Sequence, residues 1–140
     1  MREDQNQVDS SESILRRIHA KFFDGALEIP IQAEAFRPTE RDEDGISVFR
    51  ERFVNAGAIL ANVPPEKQPL YYVARIAVCD LEPLNLTVMP APLDELPGHA
   101  IIPELNWASY QRDKTKLKFL QLKLAILASK SIVHKPSVER

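Results

Sequence analysis

Eight of the eleven prolines fall between Pro64 and Pro103, and that crowding limits what the middle of this 140-residue chain can become. A proline ring fixes φ, removes a backbone donor and pushes the preceding residue out of the helical region, so no long helix can cross the interval. Strands and turns are what it can hold. Residues 70–80 are rich in β-branched and aromatic side chains and almost continuously apolar, which predicts a strand covered on both faces, with Cys79 in the core. Residues 82–85 read as a turn into a second strand over residues 86–89, close enough to close a hairpin with the first. A third strand covers residues 99–102.

Helices are expected on either side. Ile14, Leu15, Ile18 and Phe22 recur at helical spacing within residues 12–23, and Ile46, Phe49, Phe53, Ala56 and Leu60 predict a second helix over residues 47–61 that stops at Pro64-Pro65. Between them, residues 26–45 read as loop with one short strand around residues 28–31. Residues 120–126 alternate like a strand, but their Leu, Lys, Gln and Ala favour a final helix. On its wheel Leu117, Leu120, Leu124, Leu127 and Ala128 form one apolar face, and Phe119, Leu122 and Ile126 form a second. Arg112, Lys116, Lys123 and Lys130 make a basic stripe between them. The element order predicts a single α+β domain over residues 12–136, a small, mainly antiparallel sheet of about three strands with helices packed on it. A flexible acidic tail is expected at residues 1–11 and a short one at residues 137–140.

The net charge of −2 conceals a division along the chain. Residues 1–45 carry six Lys/Arg against eleven Asp/Glu, whereas residues 111–140 carry eight against two. An acidic run at residues 40–44 and the basic stripe are therefore candidates to clamp together or to reach for a partner. No apolar run approaches the roughly 18 residues of a membrane helix, and the first residues lack the apolar stretch of a secretory signal, so a cytoplasmic protein away from membranes is expected. With one cysteine, an internal disulfide is impossible.

Candidate sites follow from side-chain chemistry. His99, introduced by Pro97-Gly98 at a strand start, is the foremost acid–base candidate, and Gly98 would let other backbone approach it. Arg16 and Arg17 beside His19, and Arg37 with Ser47, are candidate anion clamps, because guanidinium binds carboxylate or phosphate in two-pronged fashion. An ion pair with residues 40–44 is the simpler reading for one of Arg16 and Arg17. No compact metal-ligand spacing and no phosphate-binding glycine loop occur, so neither metal nor cofactor is expected.

The segments Leu15-Arg16-Arg17-Ile18, Ala35-Phe36-Arg37-Pro38, Asp44-Gly45-Ile46-Ser47-Val48 and Pro97-Gly98-His99-Ala100, in this order ahead of a C-terminal helix, resemble a group of small bacterial proteins with no assigned activity. The resemblance implies a bacterial, cytoplasmic, stand-alone domain and no chemistry. Three functional readings stand. The first is an accessory or regulatory protein acting through a protein partner or self-association, using Arg112, Lys116, Lys123, Lys130, Phe119, Leu122 and Ile126. The second is a small enzyme for an anionic or nucleotide-like substrate, with His99 as acid–base group. The third is a nucleic-acid-binding module led by the basic stripe, which a pI near 5.9 disfavours.

Overall fold

Ser13–His19 is β1, an extended strand at the centre of a six-stranded antiparallel sheet, where the spacing had predicted a helix. The computed structural model describes residues 7–136, so residues 1–6 of the tail expected at residues 1–11, and the whole of that expected at residues 137–140, lie outside the described residues, while Val8 packs against the core. Ile14 and Ile18 are four apart, a step that brings side chains to one face in a helix and in a strand alike. Leu15 decides between them: it is as buried as Ile14 but points to the opposite face, into a separate core. The second expected helix is likewise overturned. Ile46–Arg50 is β2, in which the β-branched Ile46 and Val48 face one side and Phe49 the other. Only Ala56–Ala61 is helical, as α1, capped by Asn55, whose side chain accepts from the Ala58 amide at 2.8 Å.

Tyr71–Ala77 is β3, within the expected range, but its hairpin with residues 86–89 does not form. Met89–Pro90 is β4 and pairs with β5, His99–Ile102, while β3 lies between β1 and β6, Ile132–His134. The order across the sheet is β4-β5-β2-β1-β3-β6, so an expectation of about three strands understates it. Because β3 ends at Ala77, Cys79 sits in a single 3-10 turn and is exposed, not in the core. Residues 28–31 form no strand, and Ile31 makes one isolated bridge with Phe23.

Trp107–Arg112 is α2 and Lys114–Ser129 is α3, separated by Asp113, whose carboxylate caps α3 through the Lys116 amide at 3.1 Å. Leu117, Leu120, Leu124 and Ala128 of α3 pack with Ile14, Ile18, Val48 and Ala74 on one face of the sheet. On the other face, α1 contributes Ile59 and Leu60 against Leu15, Phe49 and Val73. Two glycines permit close approach. Gly45 has φ +137°, and a Cβ there would lie 2.5 Å from the Ile102 carbonyl oxygen. Gly98 brings its carbonyl to the Arg50 amide at 2.7 Å, where a Cβ would press on the Arg50 carbonyl and Phe53.

Candidate functional site

The sheet brings Ser47 of β2 to His99 of β5 on the face that carries Phe49. His99 Nε2 lies 3.0 Å from Ser47 Oγ, and Nδ1 lies 2.8 Å from the Ala91 carbonyl oxygen. A carbonyl only accepts, so Nδ1 carries the proton; in the neutral ring Nε2 then accepts from the serine hydroxyl. The ring is also held from both sides of its own strand pair, because the Ala91 amide donates to the His99 carbonyl at 2.9 Å and the imidazole meets the Phe49 ring edge-on. Both Ser47 and His99 are partly exposed.

Consecutive positions in a strand face opposite sides, and this separates the two arginines. Arg17 turns toward the Ser47 face, with its guanidinium 5.5 Å from the Phe49 ring centre and 6.0 Å from that of Tyr71. Phe49 therefore stands between Arg17 and His99. Among the described residues Arg17 makes no side-chain hydrogen bond and no ion pair. Arg16 turns the other way and is consumed structurally: Nε and Nη2 donate to the Ala35 carbonyl at 3.0 and 2.7 Å, and Nη1 donates to the Ser47 carbonyl at 2.6 Å. Burial pushes its pKa down to about 10, countered by the charge of Asp42 and reinforced by that of Arg17. The expected ion pair with residues 40–44 does not form at either arginine, since no carboxylate comes within 4.0 Å of them among the described residues. Arg37 is exposed, and no hydrogen bond joins its side chain to Ser47 or His99.

The basic stripe has a different setting. Arg112 and Lys116 border a cleft of about 300 Å³ closed by Leu84, Leu86 and Glu104; Lys123 and Ile126 border the next, with Pro83 and Asp80; Lys130 borders a third, with Asp80 and Ser131. Leu84 is common to the first two clefts, and Asp80 and Leu127 to the second and third, so they run as one groove between α3 and residues 75–86. The acidic run does not reach it. Asp42 accepts from Thr39, and its carbonyl accepts from the Trp107 amide at the start of α2. Of the acids that line the clefts, Glu104 holds Thr87, Asp113 caps α3, and Asp80 borders the second and third. Among the described residues none of Arg112, Lys116, Lys123 and Lys130 has a carboxylate within 4.0 Å. Phe119 and Leu122 are 55% and 47% exposed, and Lys123 lies over the Phe119 ring at 5.2 Å.

One pair escaped the sequence entirely. Glu12, 7% exposed, and Arg50, 1% exposed, form a two-pronged ion pair with contacts of 2.9 and 2.6 Å, and Arg50 also donates to the Gln7 carbonyl. Burial would raise the Glu12 carboxyl, but hydrogen bonds from Arg50 and the Asp9 amide, with the charges of Arg50 and Arg52, hold it below its usual value. The chemistry there is neutralised and closed, so the pair is structural. Among the described residues no three of His, Cys, Asp and Glu are grouped to hold a metal ion, and no helix is long and apolar enough to cross a membrane. No protein-family model, curated protein or solved structure matches the chain, so its two open sites, the Ser47–His99 pair and the groove along α3, carry the functional argument themselves.

Proposed function

We propose that this chain is a small accessory or regulatory protein that holds an acidic, amphipathic segment of another protein in the groove along α3. One observation carries the reading: Arg112, Lys116, Lys123 and Lys130 line successive clefts and have no carboxylate partner among the described residues, although the same chain carries an acidic run. Phe119 and Leu122 beside them supply apolar surface, so the complementary ligand carries acidic side chains on one flank and apolar ones on the next.

Anisotropy titration with a fluorescent amphipathic acidic peptide tests this. Binding should weaken at least tenfold between about 0.05 and 0.5 M salt, as screening of exposed charges requires. It should vanish in the double variant Lys116→Glu, Lys123→Glu. Binding indifferent to salt and to charge reversal would overturn the proposal, as would tighter binding of an oligonucleotide. A dimer that the same variant dissociates, read by light scattering, would assign the groove to a second copy of the chain instead.

A further inference from the structure

The face of the sheet opposite α3 holds a second arrangement that the groove does not use. Ser47 and His99 are 3.0 Å apart, and the acceptor at His99 Nδ1 is a backbone carbonyl fixed by the pairing of β4 with β5. This is the relation of a hydroxyl nucleophile to a general base oriented by a third group, with the Ala91 carbonyl where a carboxylate often stands. The carbonyl fixes the tautomer but carries no full charge, so it stabilises an imidazolium less. Arg17 adds the remaining part, a guanidinium on the same face, across Phe49 from His99, with no hydrogen-bonding partner among the described residues.

We infer that Ser47 is a nucleophile for carboxylic esters that bear an anionic group, with His99 as its general base and Arg17 as the clamp for that anion. Ser47 Oγ attacks the ester carbonyl carbon while His99 Nε2 takes the hydroxyl proton, and the carbonyl π pair moves onto oxygen. As the tetrahedral intermediate collapses, the bond to the alcohol oxygen breaks and His99 returns the proton to the departing alkoxide. Water, deprotonated by His99, then attacks the acyl-serine; the serine oxygen leaves and recovers its proton from the imidazolium, and the acid is released. Partial exposure of both residues leaves room for ester and water. The clamp follows from charge: among the described residues the Arg17 guanidinium meets aromatic rings and no acceptor, and hydrogen bonds to an ionic ligand are among the stronger that a protein makes.

A fluorophosphonate probe tests the nucleophile, because displacement of fluoride by Ser47 Oγ leaves a phosphonyl group on that serine alone, located by mass spectrometry of the intact chain and its peptides. Labelling of Ser47, lost in Ser47→Ala and slowed about a hundredfold in His99→Gln, is the expected result for a base-activated hydroxyl. Both variants are checked for folding by circular dichroism, and Ser47→Ala removes only the hydroxyl. Absence of label on the wild-type chain, label persisting in Ser47→Ala, or an unchanged rate in a folded His99→Gln would each overturn the inference. Turnover of 4-nitrophenyl hemisuccinate against 4-nitrophenyl acetate tests the clamp. The preference for the anionic ester should fall about tenfold in Arg17→Gln, the loss expected for a charge-assisted contact. An unchanged preference would remove Arg17 from the assignment.

Discussion

At Gly45 the backbone does two things that only glycine tolerates. Its φ of +137° lies in a region that side chains rarely enter, and the space a Cβ would fill is occupied by the Ile102 carbonyl. Gly45→Ala should therefore destabilise the fold by about 1–3 kcal/mol from backbone strain alone, before the clash with β5 is counted. Gly57, inside α1, makes the contrasting case: a Cβ there meets only Asn55 Oδ1 at an ordinary 3.5 Å. Gly57→Ala should stabilise by about 0.5–1 kcal/mol through helix propensity, and urea unfolding of the two variants should shift in opposite directions. At this scale much of the site could be read in advance. Ser47, His99 and Arg17 were candidates on chemistry alone, and Gly98 signalled the close backbone approach beside His99. The Glu12–Arg50 pair could not be read, because nothing local marks two charged residues 38 positions apart as partners. That Arg16 and Arg17 point apart was legible; which of them turns inward was not, and the ion pair expected for one of them is replaced by backbone carbonyls at Arg16.

Among the elements, α3 is where burial and exposure divide most clearly. Leu124 has no exposed surface, whereas Phe119 and Leu122, close by on the same helix, are about half exposed. Leu124→Ala should lower stability by about 2–5 kcal/mol, as deletion of a packed side chain from a core does. Phe119→Ser with Leu122→Ser should remain within about 1 kcal/mol of the parent while reducing binding of a hydrophobic dye. Equal losses from the two changes would show the outer face to be covered. The helix was legible from its residue types in spite of strand-like alternation, and its two apolar faces were legible from spacing. β1 was not, because an interval of four residues fits both periods, and β2 was not, because Ile46 and Phe49 stand a helical step of three apart yet face opposite sides of the sheet. The apolar Leu15 directly beside Ile14, and the β-branched Ile46 and Val48 alternating with Ser47, were the signals that spacing alone passed over. The short strands β4 and β6 are too brief to carry a periodicity of their own.

For the molecule as a whole, acid is the condition to which the fold is most exposed. Glu12 and Glu51 both titrate below their usual value of 4.5; Arg75 bonds Glu51 through contacts of 2.8 and 2.6 Å, outweighing burial there. Carboxyls with depressed folded-state values stabilise fully above 4.5, and that stabilisation is lost as pH falls through the depressed values. The Glu51 pair is substantially exposed, so solvent screens it and Glu12 dominates. Thermal midpoints should hold from neutral pH to about 5 and fall below it. In Glu12→Gln that acid-dependent fall should flatten, from a midpoint already lowered by loss of the Glu12–Arg50 ion pair. The strand order has a consequence for synthesis. β1 is made first and stands at the centre; β2 and β3 join its two sides, and β5 and β6 later extend the sheet outward. Each of these strands meets an open edge and none must be inserted between partners already joined. The helix that covers Ile14, Ile18, Val48 and Ala74 follows β1 to β5 in the sequence. The first five strands are therefore made before the helix that covers one of their apolar faces, and in that interval the chain needs protection from its neighbours.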